Sequence, residues 1–450
     1  MLTFQDFQTA TDKTAFILKA INEHKKSDTY SRAKTAQSYY ERNNNAIANR
    51  LTFMEKYGIS NSKVKFFKQS CGFFPRMCKQ LTGYLLGNGI TLPQEIKNKL
   101  GVRFDKDFKN AGLQALIDGV NWCFWNVDRL VVFRATEFVP LFDETNGDLM
   151  AGIRFWQIDR EKPLNVELYE VEGITRFVQS KADGNSSNEL TQIGEKATYI
   201  NSFRRDAISE EVIDSSNYPR IPVFAFYANE LKSSELTSGL KEDIDAYDFI
   251  NSDLTDSITQ IEGIYWIVKN YGGSELTELR EDLHKLKMLV EESDSKIDSH
   301  NLEVPHKAKQ VALELLEKSM FNDTMSLDMK SITGGSLTNV AINVAKTDLD
   351  LKADLFEQQA EDVILNILEL LGITAETPRF KRRTITNDTE TVNNISTMIS
   401  DRYVDVRWAI DNNPLIADED HNELFKRVEL ERTGIPSGDT QLDEEVNENG

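Results

Sequence analysis

The sequence predicts an α+β protein in which helical and β-rich blocks follow one another along the chain. Three observations predict it. Apolar residues recur at helical spacing through residues 8–58, and short runs rich in Val, Ile, Phe and Tyr separated by polar turn clusters fill the stretch from about Trp122 to Phe226. A three-or-four-residue period then returns at Leu240 and dominates the remainder. At 450 residues the chain is long enough for two or three folding units, because single hydrophobic cores seldom grow past about 250–300 residues.

The first block has little Gly or Pro and carries Phe16, Ile17, Ile21, Ile47, Leu51 and Met54 at helix-like intervals. A Tyr39-Tyr40 pair stands ahead of an Asn43-Asn44-Asn45 turn. Residues 65–92 read as an aromatic and basic helix that runs into Tyr84-Leu85-Leu86-Gly87-Asn88-Gly89. In the β-rich block, Asp143 to Asp148 and Asp183 to Asn188 are turn clusters, and strands are expected at 151–156, 166–169, 174–177 and 221–223.

The clearest helix is a seam of Leu240, Ile244, Tyr247, Ile250, Leu254, Ile258, Ile261, Ile264 and Val268. Its other positions hold Glu242, Asp243, Asp245, Asp248, Asp253, Asp256 and Glu262 against one basic residue, Lys241, so one face is apolar and much of the rest acidic. Two readings are open: a solvated helix on a globular domain, or a helix packed by its seam with acids turned toward a lumen. A small α/β insert is expected over 275–304, with a helix through Leu276, Leu279 and Leu283, a strand at Lys287 to Val290 and a polar turn at Glu292 to Lys296. A second helix starts at Pro305 and continues through Val311, Leu315 and Met320. After a polar segment at 322–335, a long helix is expected from about Ser336 to Leu371, about 50 Å at 1.5 Å per residue. Shorter helices follow, and the tail from Gly434 to Gly450 has five acidic residues and no basic one, the composition of a disordered end.

Composition narrows the function classes. A net charge of -21 argues against tight, sequence-specific binding of free nucleic acid, which draws its affinity from Lys and Arg neutralising phosphates. It is compatible with DNA passing through a channel whose walls repel it. No apolar run approaches the roughly 20 residues that span a bilayer, and the N-terminus lacks a secretory pattern, so synthesis in the cytoplasm and no membrane are expected. Cys71, Cys78 and Cys123 are an odd, sparse set that indicates neither disulfides nor zinc. No Walker A or GxGxxG sequence is present, and Gly334-Gly335 is too short to cradle phosphates. His24, His284, His300, His306 and His421 are scattered and read as surface residues. Asp253 with Asp256, or Asp418, Glu419 and Asp420, read as helix solvation and capping more readily than as a metal centre. Trp122-Cys123-Phe124-Trp125 reads as core and not as a base-stacking surface. No catalytic residue, cofactor or metal is expected.

Several segments, in order, resemble one family. They are the Tyr39-Tyr40 element, Tyr84 to Gly89, the Ile221-Pro222-Val223 strand, the helix, insert and returning helix over 240–321, Gly334 to Ile342, and the run from Arg379 to Glu431 with its Asn413-Pro414 and acidic turn. Together they resemble the tailed-phage portal proteins, in the Bacillus siphophage-like (SPP1-type) portal family. The resemblance implies a portal fold with a helical stem, a β-rich wing, a small α/β clip and a helical C-terminal crown. It divides the chain into N-terminal helices and wing (1–236), stem helix (237–273), clip (274–304), second stem helix (305–321), tunnel loop (322–335), long wing helix (336–375), crown (376–433) and acidic tail (434–450). It implies a homo-oligomeric ring of about twelve subunits at a capsid vertex, assembled in the host cytoplasm and carried in the virion. Double-stranded DNA would pass through without sequence specificity during packaging and ejection. The implied partners are the terminase large subunit, head-completion or adaptor proteins, and major capsid and scaffolding proteins.

By position in that layout, Asp323, Ser326, Asp328, Lys330 and Ser331 would face DNA from the tunnel loop. Asp245, Asp248, Asp253 and Asp256 would form the stem's acidic face, and Lys287, Glu291, Glu292 and Asp294 would lie in the clip. The basic cluster of Lys63, Lys65, Lys68, Arg76 and Lys79, with no acid between Glu55 and Glu95, would meet either phosphate or the acidic surface of a neighbouring subunit. Two other classes remain at this level: an acidic helical scaffold or adaptor, and a metal-dependent nuclease built on the acidic clusters.

Overall fold

The computed structural model describes residues 2–49, 67–159, 161–179, 181–182, 185–186, 189–200, 217–259, 264–269, 296–301, 306–330, 338–373, 377–383, 387–416 and 421–433. It is an α+β structure of two compact units. One comprises Met1–Ser326 with Lys352–Arg382, the other Leu327–Leu351 with Arg383–Gly450.

In the first unit the helical block is a series of helices and not one continuous run: α1 (Phe4–Thr9), α2 (Lys13–Lys26), α3 (Asp28–Tyr40) and α4 (Asn45–Ala48). Capping residues set the breaks. Thr3 forms a reciprocal capping box with Asp6, Asp12 accepts from the Thr14 and Ala15 amides, and Ser27 accepts from Tyr30. The aromatic and basic helix expected from Lys65 into Tyr84 starts later than its pattern suggests. α5 spans Phe73–Leu85, and residues 67–72 ahead of it are not helical. Strand β1 (Ile90–Thr91) and helices α6 (Gln94–Leu100) and α7 (Phe104–Asp118) follow.

Ten further strands make the β-rich block: β2 (Val120–Asn126), β3 (Arg129–Arg134), β4 (Phe138–Phe142), β5 (Leu149–Trp156), β6 (Leu164–Glu170), β7 (Gly173–Gln179), β8 (Lys181–Ala182), β9 (Asn185–Ser186), β10 (Thr191–Ala197) and β11 (Val223–Tyr227). All pairings among them are antiparallel. One sheet has the order β10-β7-β6-β5-β4, another β11-β2-β3, and β8 pairs with β9. The turn expected at Asp143 forms, with Asp143 Oδ1 accepting from the Thr145 and Asn146 amides.

The five-stranded sheet buries Val139, Leu141, Ile153, Phe155, Val166, Leu168 and Phe177 under Phe7, Phe16, Ile17 and Ile21 of the first two helices. Strand β2 is buried on both faces, which explains the unbroken apolar run from Trp122 to Trp125. Helix α7 covers one side through Phe104 and Phe108, while Phe124 and Phe133 meet Tyr169 and Phe133 meets Phe138 of the larger sheet on the other. Trp122 to Trp125 is therefore core, as read from the sequence.

A buried ionic knot joins these layers. Arg134 donates Nη2 and Nε to the two oxygens of the fully buried Asp118 at 2.8 and 3.0 Å, and Gln37 Nε2 reaches the same carboxylate. At the end of α7, Gly119 adopts φ +89°, and a Cβ there would stand 2.6 Å from the Ser234 amide nitrogen.

The long seam does not form one helix through Val268. Helix α8 spans Ser238–Thr259, and β12 (Ile264–Lys269) pairs antiparallel with β13 (Lys296–Asn301). Ile264 and Val268 fit a strand as readily as a helix, because β-branched residues restrict χ1 on a helix and pack well on a pleated sheet. Ile261 and the insert elements expected between Leu276 and Val290 lie outside the described residues. Lys296, expected in a turn, begins β13. Helix α9 (His306–Asp323) returns against α8.

The long helix is also modified. It begins at Asn339, three residues later than expected, because Thr338 is an extended N-cap accepting from Ala341. It is interrupted at Lys346, giving α10 (Asn339–Ala345) and α11 (Thr347–Leu370). From Lys352 onward α11 is part of the first unit, with Phe356 stacked on Phe226 at 5.5 Å and Arg220 donating to Asn366 and Glu369. Strand β14 (Arg379–Phe380) pairs with β1. The second unit holds α12 (Asp388–Ser400), α13 (Val406–Asp411) and α14 (His421–Thr433). Residues 434–450 lie outside the described set.

Two histidines read as surface residues are buried. His421 sits 3.3 Å from Asp411, and His24 contacts the Ala135 carbonyl through Nε2 at 2.7 Å, edge-on to Tyr30 and Phe155. Burial holds the His24 pKa below its ordinary 6.5, with the carbonyl bond opposing in part. The unfolded chain then takes up a proton at higher pH than the folded one. Stability present above about pH 6.5 falls as pH drops toward the folded pKa. Chemical unfolding from pH 7.5 to 5.5 will show this loss in the natural chain and a flatter profile in His24→Gln; equal slopes would contradict it.

Candidate functional site: the paired helices and the segment they hold

Helix α8 carries one line of residues at four-residue spacing: Leu240, Ile244, Asp248, Ser252 and Asp256. All five are buried, at 4, 1, 0, 0 and 6% exposure. The line starts apolar and turns polar without leaving the interior. Its polar half is satisfied by the non-helical segment ahead of α5. The Phe67 amide donates to Asp256 Oδ1 at 2.9 Å, the Gln69 amide to Ser252 Oγ at 3.0 Å, and the Cys71 amide to Asp248 Oδ1 at 2.7 Å. Every second amide of the segment thus meets every fourth side chain of the helix. The spacings are commensurate, since two extended residues advance about 6.6 Å and four helical residues about 6.0 Å.

Asn251 of α8 also donates to Gln69 Oε1, and the other side of the segment is fixed by Arg42, which donates to the Ser70 carbonyl, and by Lys68, which donates to the Ala48 carbonyl. Asn44 donates to Asp248 Oδ2 at 2.5 Å, and the Tyr39 hydroxyl donates to Asp245 Oδ1 at 2.5 Å, with Lys241 Nζ 2.7 Å from the other Asp245 oxygen. Burial raises the Asp248 pKa, against the lowering effect of its Asn44 and Cys71 bonds. Burial and the Asp245 bond raise that of Tyr39. Burial and the nearby Asp248 push the Cys71 thiol up to about 12, so it is not poised as a nucleophile.

These positions revise the expected acidic face. Asp248 and Asp256 do not lie on an outward acidic surface; both are spent inside the subunit as acceptors. Asp245 is half-buried and shared between Tyr39 and Lys241. Asp253 does face outward, half-exposed and 2.5 Å from Lys309 of α9. Asp253 and Asp256 therefore serve different partners, and among the described residues no group of three or more His, Cys, Asp or Glu could hold a metal ion. Residues 418–420 lie outside the described set. The signal for the buried acids was in the sequence: the four-residue step from Leu240 and Ile244 continues through Asp248, Ser252 and Asp256, while the seam read through Tyr247 and Ile250 drifts outward to Ile258, which is 49% exposed.

The expected loop residues divide similarly. Asp323 is the last residue of α9 and accepts from Ser319 Oγ. Ser326 is half-buried beside Thr324 Oγ1, whose own carbonyl accepts from Lys352 Nζ at 2.8 Å. Lys352 also pairs with Glu235 at 2.5 Å, beside a cleft of about 210 Å³ lined by Leu81, Leu240, Met325 and Phe356. The Asp328 carboxylate accepts from the Lys330 amide, and Lys330 is exposed. Ser331 lies outside the described residues, as do Lys287, Glu291, Glu292 and Asp294. Of the basic cluster, Arg76 and Lys79 lie over the Phe73 and Tyr40 rings, and Lys63 and Lys65 are outside the described set.

A sequence profile of the family described as "Phage portal protein, SPP1 Gp6-like" matches residues 19–434. The portal protein of Clostridium phage phiCD119 is 24% identical over 300 residues, covering 64% of this chain and 66% of that protein. The portal protein of Bacillus phage SPP1 is 23% identical over 464 residues, covering 94% of this chain and 87% of that protein. This chain thus spans just under two thirds of the first relative and most of the second.

Asp248→Ala strands the Cys71 amide and the Asn44 side chain in the interior and should cost about 2–5 kcal/mol, whereas Asp253→Ala removes a half-exposed pair worth about 0–1 kcal/mol. Thermal unfolding of the two variants side by side measures this. Equal losses would show that the segment is not held as described.

Proposed function

The chain belongs to the SPP1 Gp6-like phage portal protein family, and we propose that it closes into a ring at one capsid vertex and forms the channel through which double-stranded DNA is packaged and ejected. The carrying observation is the extent of the family match, residues 19–434, which includes the paired helices, both sheets and the C-terminal helices. A scaffold or nuclease reading has no comparable support.

In this reading residues 1–236 are the N-terminal helices and wing, 237–273 and 305–321 the stem, 274–304 the clip, 322–335 the tunnel loop, 336–375 the long wing helix and 376–433 the crown. The ring acts by geometry and electrostatics and performs no chemistry of its own. An acidic chain lining a channel repels the DNA backbone, so the polymer slides instead of sticking. The terminase large subunit supplies the force and docks on the clip, a surface that head-completion or adaptor proteins take over later. Major capsid and scaffolding proteins contact the wing side during assembly in the host cytoplasm. With Asp248 and Asp256 committed inside the subunit, contact with DNA falls to the loop, where Asp328, Lys330 and Ser331 are the candidates. Lys330 would meet phosphate without reading sequence.

The loop can be tested without disturbing its base. Thr324 and Leu327 are buried, so the deletion is confined to residues 328–333. Rings should form as before, and packaging of DNA into capsids should fall by at least tenfold. Normal packaging by the deleted ring would remove the loop from the mechanism; loss of the ring itself would reassign these residues to assembly.

A further inference from the structure

Helices α8 and α9 form an antiparallel pair whose register is fixed at two points. Lys309 meets Asp253 at 2.5 Å, and Ser319, whose hydroxyl donates to Asp323, lies beside Asp243, so ten residues forward on α9 correspond to ten residues back on α8. Each helix also presents an outward stripe. On α9 it runs Lys307, Val311, Lys318, with Leu315 beside it; Val311 is 52% and Leu315 63% exposed. On α8 it runs Glu242, Phe249, Asp253, with Phe249 38% exposed. Both stripes are a large apolar residue between two like charges, basic on one helix and acidic on the other. In both, the charges stand eleven residues apart, about 16 Å along a helix.

We infer that the α9 stripe of one subunit docks on the α8 stripe of a second copy of this chain, with Lys318 meeting Glu242, Lys307 meeting Asp253, and Val311 and Leu315 covering Phe249. The inference rests on the ring reading above. A closed ring is generated by rotation about one axis, and rotation leaves the height of every residue along that axis unchanged. With α8 and α9 running along that axis, neighbouring copies inherit the register seen within one chain. That register puts Lys318 level with residue 244 and Lys307 level with residue 255, within two residues of Glu242 and Asp253. The remaining charge on the α9 stripe, Glu314, falls level with residue 248, where the facing stripe presents Phe249 and the acid of that turn, Asp248, is buried on the opposite side. Asp253 then lies between Lys309 of its own chain and Lys307 of the next, a three-charge cluster at the seam and not a lumen contact. Burying two apolar stripes with matched charges gives a heterologous, directional contact, the kind a ring requires.

The test mixes two variants of the full chain, Lys318→Cys and Glu242→Cys, so that a disulfide between the introduced thiols can arise only between chains. Under mild oxidation the mixture should give a covalent dimer that neither variant gives alone. In parallel, Lys318→Glu should reduce the ring fraction at least tenfold, and Glu242→Lys in the same chain should restore it. Natural-sequence rings with no mixed dimer, or unaffected by Lys318→Glu, would overturn this contact while leaving the ring intact. A natural chain that forms no ring would instead remove the portal reading on which the contact rests.

Discussion

The structure turns on the buried line of α8, in which Leu240, Ile244, Asp248, Ser252 and Asp256 occupy one side of one helix. The apolar end packs in the ordinary way. The polar end is tolerable only because the amides of Phe67, Gln69 and Cys71 arrive at matching intervals to satisfy it. That arrangement fixes the rotation of α8, and with it which residues are left outside. Glu242, Phe249 and Asp253 are on the outward stripe because the five-residue line is inward.

The same constraint links distant parts of the chain. Asn44 and Tyr39, at and just beyond the end of α3, reach Asp248 and Asp245 of α8, so the first helices are bonded directly to the helix assigned to the channel wall. On the other flank Lys352 of α11 holds the Thr324 carbonyl at the end of α9. The helical pair is thereby gripped from the N-terminal helices and from the long helix.

Much of this was legible in the sequence, and the misses share a cause. The α+β class, the strands expected at 151–156, 166–169 and 174–177, the core role of Trp122 to Trp125 and the pair of helices on either side of residues 264–301 follow from periodicity and turn chemistry. The family resemblance of Tyr84 to Gly89 and the later segments pointed to the portal proteins. Hydrophobicity alone could not place Asp248 and Asp256, because it treats an acid as outward by default and their partners are backbone amides about 180 residues away. Nor could it end α8 at Thr259, since Ile264 and Val268 continue a helical count while also suiting a strand. His24 was missed for the same reason: its partner is the Ala135 carbonyl, which leaves no mark in residue type.

The central claim is that this acidic chain closes into a ring around a channel. Electron microscopy of the purified protein, with its mass measured by light scattering, tests it most directly. The account predicts closed rings of about twelve copies with an axial hole wide enough for a DNA duplex, about 20 Å or more. Particles that remain monomers, or that grow into open aggregates without closing, would contradict it.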